Sequence, residues 1–119
     1  MQKDNLVRLQ HMLDAAREAV RFARNKTRNS LNTDRKLVFA LVRAIEIIGE
    51  AAANVTKKCR EDLPQVPWKD IVGMRNRLIH AYFDINLDIL WKTVTEDLPP
   101  LISALEETLS RQSGKQNRK

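Results

Sequence analysis

The chain has 119 residues, 43% of them hydrophobic and 30% charged, which is the size and composition of one soluble domain. No apolar run approaches the ~18 residues of a membrane span, and a single cysteine excludes an internal disulfide. The net charge is +6, but four basic residues lie in 111–119, so residues 1–110 carry only +2. This charge permits a nucleic-acid partner without requiring one.

The first residues favour a cytoplasmic location. Lys3, Asp4 and Arg8 interrupt any apolar run after Met1, so no signal-peptide pattern is present. Cys59 has three basic neighbours that could lower the pKa of its thiol. Because no catalytic partner is evident in the sequence, we interpret it as an incidental thiol of a reducing compartment.

Hydrophobic spacing predicts the first helix over residues 3–24, followed by a polar loop over 25–32. Seven basic residues against two acidic ones lie between Arg17 and Lys36. They could meet phosphates, or they could form an ordinary solvated face. The apolar stripe of this helix consists of Leu6, Leu9, Leu13, Ala16, Val20 and Ala23.

The second predicted helix is capped by Asn32 or Thr33 and runs to about Lys58. It carries two apolar rows, so we expect it to pass through the middle of a bundle. The first row is Leu37, Leu41, Ala44, Ile48, Ala51 and Val55, and the second is Val38, Ile45 and Ala52.

The third predicted helix begins with Pro67 in its first turn and runs to about Tyr82. Asp70 suits its N-terminal end, where a negative charge complements the helix dipole. Gly73 lies inside the helix, where glycine costs ~1 kcal/mol relative to alanine. We therefore expect Gly73 to mark close backbone packing.

The fourth helix is predicted from Leu87 to Leu109, with Pro99 and Pro100 kinking or restarting it after a cap at Asp97. The four helices predict an all-α fold, an antiparallel four-helix up-and-down bundle spanning residues 1–110. Residues 111–119 are expected to form a basic, disordered tail. Extra apolar residues on the fourth helix suggest that the bundle forms a symmetric dimer: Ile85, Ile89, Leu90 and Ile102.

Polar chemistry is concentrated in one segment, Arg75-Asn76-Arg77-Leu78-Ile79-His80-Ala81-Tyr82. Arginine, asparagine, histidine and tyrosine on a partly buried surface indicate an anion site with a titratable group. A hydrogen-bonded structural histidine near a helix end is the alternative. The other histidine, His11, falls off the first helix's apolar stripe and is expected at the surface.

On an ideal helix Asn76 and His80 lie about 40° apart, and Arg75 and Tyr82 about 20° apart. Arg75 and His80 are separated by about 140°, so they do not share one face automatically. A symmetric partner helix could bring a second arginine and histidine into the same cleft. We therefore expect a composite site at a two-fold interface.

The spacing Arg75-Asn76-x3-His80-x-Tyr82 resembles the R-x4-H-x-Y motif of the HEPN superfamily. Within it, the chain is similar to the HepT-like toxins that are paired with minimal nucleotidyltransferase antitoxins. The bare spacing is weakly specific, but the resemblance covers nearly the whole chain through further blocks. These are Ile47-Ile48-Gly49-Glu50-Ala51-Ala52, Val66-Pro67-Trp68, Gly73-Met74, Asp88-Ile89-Leu90-Trp91 and Asp97-Leu98-Pro99.

The resemblance implies a metal-independent endoribonuclease in a homodimer whose two motifs face one cleft. Arg75 and His80 carry over as the catalytic pair, and Asn76 matches the polar residue that follows the arginine. Tyr82 matches the tyrosine that the antitoxin modifies with AMP, so ATP enters only through that partner. Arg77 is a candidate supporting residue, although the family pattern assigns it no role.

The residue types agree with this chemistry. RNA supplies its own nucleophile, the 2′-hydroxyl, so a base and a cation suffice without metal or cofactor. The imidazole of His80 can move the proton near neutral pH, and the guanidinium of Arg75 can bind the phosphate. The expected products are a 2′,3′-cyclic phosphate and a 5′-hydroxyl, and DNA should not be cut.

Other interpretations remain open. Glu46 and Glu50 lie one turn apart as a two-metal site might need, but we interpret them as polar contacts of the bundle or dimer, or Glu50 as orienting an arginine. Trp68 and Trp91 fall on apolar faces, which favours core packing over base stacking. A non-catalytic helical subunit that binds nucleotides or docks a nucleotidyltransferase is the alternative function, and a structural adaptor is a third.

Overall fold

The computed structural model describes the backbone of residues 1–81 and 84–117, and the side chains of residues 1–74, 76–78 and 85–112. Tyr82 therefore lies outside the described residues. In chain order the elements are α1 (Lys3–Ala23), α2 (Ser30–Thr33), α3 (Arg35–Ala53), α4 (Lys57–Asp62), α5 (Trp68–Leu78), β1 (Ile79–Ala81), β2 (Asp84–Ile85), α6 (Leu87–Lys92), a π-helical segment (Thr93–Asp97) and α7 (Leu98–Asn117).

Four long helical segments form the expected all-helical bundle: α1, α3, α5, and the continuous run from α6 through the π segment into α7. Helix α1 packs along α3 and α7, and α3 also packs along α5. Burial of both apolar rows of α3 confirms that this helix is central, since it contacts neighbours on two sides. The completely buried side chains include Leu9, Leu41, Ile45, Ile48, Leu98 and Leu105.

The second helix begins one or two residues later than the sequence predicts. Asn32 and Thr33 lie inside the short helix α2, which is anchored by the buried Leu31. The N-cap of α3 is Asp34, whose carboxylate accepts a hydrogen bond of 3.0 Å from the amide of Leu37. The acceptor needed at the start of α3 is therefore supplied by the aspartate.

The end of this helix also differs from the prediction, because α3 stops at Ala53 and a separate helix α4 follows. Thr56 caps α4 by accepting a hydrogen bond from the amide of Cys59. The buried Asn5 of α1 binds Thr56 twice: its amide group donates to the hydroxyl, and its oxygen accepts from the backbone amide, both at 3.1 Å. This contact between α1 and the turn after α3 is consistent with antiparallel packing.

The fourth helical segment passes its two prolines without a break. Instead of a restart with Asp97 as cap, five residues before Leu98 form a π-helical turn, and the amide of Leu98 donates to the carbonyl of Thr93. Pro99 and Pro100 have no amide hydrogens, so they cannot donate to the carbonyls of the preceding turn as a regular helix requires. The wider π-helical turn before them shifts the hydrogen-bond pattern of these carbonyls. The hydroxyl of the buried Thr93 donates to the carbonyl of Ile89 at 2.8 Å.

The apolar excess predicted on the fourth helix packs, wholly or in part, against the core of the chain itself. Leu90 is completely buried, and Ile85, Ile89 and Ile102 are partly buried against the core. The larger apolar side chains that are exposed among the described residues lie elsewhere: Met1, Val7, Phe22, Phe39 and Val72.

Helix α7 continues to Asn117, through a stretch where the sequence predicts a disordered tail from Arg111. Arg111 forms an ion pair with Glu107 one turn earlier. Of the helices in the described ranges, none combines the length and apolar character needed to cross a membrane.

Candidate active site

Helix α5, which carries the first half of the motif, is seated by the connector before it. The helix begins at Trp68, one residue after Pro67, and the amide of Ile71 donates to the carbonyl of Pro67. The indole of Trp68 donates to the carbonyl of Leu63 at 3.0 Å, and the guanidinium of Arg60 lies 6.0 Å from its ring centre. These contacts fix where α5 starts.

The inner face of α5 consists of three buried residues, Ile71, Met74 and Leu78. A Cβ added to Gly49 of α3 would lie 3.7 Å from the carbonyl oxygen of Ile71, so the two backbones approach closely at this point. Gly49, and not Gly73, is therefore the glycine at the contact between α3 and α5. On the opposite face of the helix, Val72, Asn76 and Arg77 are exposed to solvent.

Helix α5 ends at Leu78, four residues before the predicted end at Tyr82. The carbonyl of Leu78 accepts a hydrogen bond of 2.9 Å from the amide of Asn86 instead of from a continuing helix. The chain then forms an antiparallel hairpin from β1 and β2. The helical angles predicted from Asn76 and Arg75 to His80 are therefore wrong, and the angle predicted between Arg75 and Tyr82 involves a residue outside the described part of the chain.

The hairpin has a bulge at His80. Ile79 pairs with Ile85 and Ala81 pairs with Asp84, so two steps along β1 match one step along β2 and His80 is the extra residue. A bulged residue is left out of the ladder and its side chain is re-aimed relative to a regular strand. The side chain of His80 itself lies outside the described part of the chain.

The predicted site residues lie along the last turn of α5 and the strand that follows it. Arg75, Asn76 and Arg77 belong to α5, and His80 follows two residues after the helix ends. Asn76 is exposed. The side chain of Arg75 falls outside the described atoms, as does Tyr82, so the structure places Arg75 and His80 by their backbone alone.

The side chain of Arg77 is hydrogen-bonded to the backbone of its own helix. Its guanidinium donates to the carbonyl of Asp70 at 3.0 Å, and its Nη1 would lie 3.6 Å from a Cβ added to Gly73. The side chain thus folds back over Gly73 toward the start of α5. It lines a groove of about 430 Å³ shared with Lys92, Glu96 and Asp97.

The acidic pair on α3 forms no metal centre with other described residues. Glu50 forms an exposed ion pair with Arg43 at 3.5 Å, and Glu46 is half-buried one turn earlier. Across the described side chains, no group of three histidine, cysteine or carboxylate residues could hold a metal ion. Among the described side chains, the arginine that Glu50 contacts is Arg43 of its own helix.

The thiol of Cys59 behaves opposite to the expectation from its basic neighbours. Burial raises the pKa of Cys59 above its ordinary value, and the nearby carboxylate of Asp62 raises it further, against a smaller lowering by the N-terminal amine. The side chain is only 5% exposed. Cys59 is thus a buried protonated thiol of the core, since a reactive cysteine needs a lowered pKa and solvent access.

Comparison with known proteins assigns the chain to a family. The family model described as ribonuclease HepT-like matches residues 12–108, which include the whole motif segment. The chain belongs to the HepT-like ribonuclease family. This confirms the resemblance drawn from the sequence blocks.

Curated relatives of this family cover most of the chain. "Putative RNase MJ1380" of Methanocaldococcus jannaschii is 40% identical over 82% of this chain and 90% of its own length. "Putative RNase TTE0752" of Caldanaerobacter subterraneus subsp. tengcongensis is 38% identical over 87% and 93% of the two chains. "Probable ribonuclease HepT" of Thermococcus cleftensis is 46% identical over 62% and 67%. No solved structure matches the chain.

The basic residues of the first loop, which the sequence left open as a patch, divide into paired and unpaired groups. Arg17 pairs with Glu106 at 2.6 Å, and Arg28 pairs with Asp88 at 2.7 Å. The guanidinium groups of Arg21 and Arg35 lie over the neighbouring rings of Phe22 and Phe39. Among the described contacts, Arg24, Lys26 and Lys36 have no such partner.

Proposed function

We propose that this HepT-like protein is a metal-independent endoribonuclease and the toxin of a two-component module in the cytoplasm. The observation that carries the proposal is the placement of the motif: Arg75 on the last turn of α5, and His80 at a bulge just beyond it. Bulges are common next to active sites because they direct one side chain out of a regular strand. The match to a ribonuclease family over residues 12–108 supports the same reaction class.

The proposed reaction uses the RNA as its own nucleophile. The 2′-oxygen attacks the adjacent phosphorus while His80 accepts the 2′-hydroxyl proton, and the bond from phosphorus to the 5′-oxygen breaks. The departing 5′-oxygen receives a proton, which leaves a 2′,3′-cyclic phosphate and a 5′-hydroxyl. Arg75 stabilises the extra negative charge on the phosphorane oxygens, since a guanidinium stays charged and binds them in a fork.

Asn76 and Arg77 have different supporting roles in this proposal. Asn76 is exposed on the same turn as Arg75, where its amide can position a phosphate or a ribose. Arg77 is held back toward Asp70, so it acts on the shape and charge of α5 rather than on the scissile phosphate.

The proposed active unit is a homodimer with its two motif helices facing one cleft. Val72 is 39% exposed one turn before Asn76, an apolar residue on the surface of the motif helix. A second copy packed there would cover Val72 and bring the two motifs together. This arrangement removes the need for one chain to supply every catalytic group.

Control by a minimal nucleotidyltransferase antitoxin completes the proposal. Transfer of AMP from ATP to the hydroxyl of Tyr82 would release pyrophosphate and leave a bulky anion two residues from His80. That anion would repel the RNA backbone and occupy the cleft. The antitoxin supplies the ATP site, and the chain itself needs no cofactor.

The experiment that tests the proposal compares wild type, His80→Ala and His11→Ala on end-labelled RNA in excess EDTA. His11 is exposed on α1, so its replacement is a matched loss of one imidazole away from the motif. We expect cleavage by wild type and His11→Ala with cyclic phosphate ends, and a loss of at least ~100-fold in His80→Ala, the usual size of a lost acid–base group. A DNA strand of the same sequence should stay intact.

Two results would contradict the proposal. Cleavage that persists in His80→Ala would show that another group moves the proton. No cleavage by unmodified protein of confirmed mass, together with retained binding to the nucleotidyltransferase, would favour a non-catalytic docking subunit instead.

A further inference from the structure

A groove of about 300 Å³ lies between the end of α1 and the π-helical segment, apart from the motif helix. Its walls are mainly apolar and include Val20, Val94, Pro99 and the half-buried indole of Trp91. Arg24 and Lys26 stand at its edge. The groove therefore combines an aromatic surface with two cations.

The charge of this groove differs from that of the other grooves described here. Three other grooves each include at least one carboxylate: Asp14 and Glu18 line one between α1 and α3, Asp62 lines one beside Asn5 and Thr56, and Asp70, Glu96 and Asp97 line the groove at Arg77. No carboxylate lines the groove at Trp91. An anion can enter it without meeting a repelling charge.

The two cations of the groove are free to meet such an anion. Neither Arg24 nor Lys26 forms an ion pair among the described residues, whereas Arg17 and Arg28 of the same basic stretch are paired. Asn25 between them has a φ of 63°, a left-handed conformation that asparagine tolerates better than most residues. This turn ends α1 and places the residues on both sides of it at one groove.

The groove is linked to the hairpin that carries His80 by a short stretch of chain and by one ion pair. Arg28, two residues after Lys26, binds Asp88 in the first turn of α6, directly after the hairpin that carries His80. Trp91 follows Ile85 of that hairpin by six residues, so their Cα atoms are at most about 22 Å apart. One RNA strand could contact the motif and this groove together.

We propose that the groove binds a nucleotide of the single-stranded RNA substrate away from the scissile bond. The base packs on Trp91 and Pro99, and the phosphate lies between Arg24 and Lys26. Aromatic surfaces beside cations are how proteins hold single strands without reading sequence. This inference rests on the proposed ribonuclease function, and its test separates the two.

The first experiment measures binding of a fluorescent, uncleavable single-stranded 2′-O-methyl RNA over a range of salt concentrations. The test variant is Arg24→Gln/Lys26→Gln. The control is Lys57→Gln/Lys58→Gln, which removes the same charge at exposed positions near the other end of α1. We expect the test variant to bind roughly tenfold more weakly and to lose about 0.7 from the salt slope, the value for one phosphate contact on a single strand.

The second experiment locates the base. RNA carrying 5-iodouridine is irradiated with the protein, and we expect the crosslinked peptide to contain Trp91. Trp91→Leu, which keeps apolar volume against the core, should bind about tenfold more weakly while its circular dichroism spectrum stays unchanged. Equal binding and equal salt slopes in the test and control variants would overturn the proposal that this groove binds RNA. Crosslinking confined to Trp68 would overturn it as well.

The outcomes for the groove and for the ribonuclease are distinguishable. Wild type that cleaves RNA while the groove variants bind and cleave equally well would retain the function and overturn the groove. Wild type that does not cleave, but binds the uncleavable strand through Arg24, Lys26 and Trp91, would support the groove while the function fails.

Discussion

Cys59 makes the stability of the protein depend on alkaline pH. Burial, followed by the charge of Asp62, raises the pKa of this thiol in the folded chain. The stabilisation is fully present below the pKa of an unfolded thiol, and it is lost as the pH rises through the higher pKa of the folded one. In that window the unfolded chain releases a proton that the folded chain keeps.

We therefore expect the free energy of unfolding of wild type to fall relative to Cys59→Ala as the pH rises past about 8.5. The slope of the difference can reach about 1.4 kcal/mol per pH unit, the limit for one proton. Urea unfolding of both proteins across this range measures it. Parallel pH curves for the two proteins would contradict a raised pKa.

For His80, the sequence predicts the chemical role of the residue but not its place in the fold. Its identity as a candidate proton carrier follows from the motif, because imidazole titrates near neutrality. Its bulge depends on the pairing of Ile79 with Ile85 and of Ala81 with Asp84. Such a register is a tertiary property, and no glycine marks the position in the sequence.

At the scale of elements, the N-cap of α3 gives a clean test of local stabilisation. The carboxylate of Asp34 accepts the amide hydrogen of Leu37 at 3.0 Å. Asp34→Ala should lower the free energy of unfolding by about 1 kcal/mol. Asp34→Asn should lower it much less, because the side-chain amide oxygen of asparagine can still accept the hydrogen bond. Urea denaturation compares the three proteins, and equal losses in both variants would rule out the capping bond.

Gly73 gives the second test at this scale. The nearest atom to an added Cβ is Nη1 of Arg77 at 3.6 Å, an ordinary contact with the end of a flexible side chain. Gly73→Ala should therefore raise the free energy of unfolding by about 0.5–1 kcal/mol, because alanine loses less backbone freedom on entering a helix. Thermal or urea unfolding measures the change. A loss of stability would show that a neighbour occupies this space.

The long helices could be predicted from the sequence because their apolar residues repeat with the helical period, and burial follows that period in α1 and α3. Their ends were less predictable. The end of α5 depends on the amide of Asn86 binding the carbonyl of Leu78, a contact across eight residues. No proline or glycine lies between them, so the sequence carried no local stop signal.

At the scale of the whole molecule, packing decided which surfaces remain free. The sequence showed excess apolar residues on the fourth helix but not that these side chains pack against the chain's own core. Likewise, charge counting could not separate Arg28, which pairs with Asp88, from Arg24 and Lys26, which are unpaired among the described residues. The motif and the family could be recognised from the residues alone. Which side chains are exposed or unpaired could be known only from the folded structure.

The proposed dimer is tested on the surface of α5. Val72 is 39% exposed beside the motif and would be buried by a second copy. Val72→Glu would place a charge in that interface, at a cost of about 3 kcal/mol, which is more than a hundredfold in the dimer dissociation constant. Val7→Glu is the matched control, because Val7 is 42% exposed on α1. Sedimentation velocity and RNA cleavage are measured on the same samples.

We expect Val72→Glu to be monomeric and inactive with an unchanged circular dichroism spectrum, and Val7→Glu to match wild type in both assays. The two readouts separate two ideas. A dimeric and active Val72→Glu would show that the chains associate through another surface. A monomeric but active Val72→Glu would show that one copy of Arg75 and His80 suffices, because the loss of the partner would then remove no catalytic group.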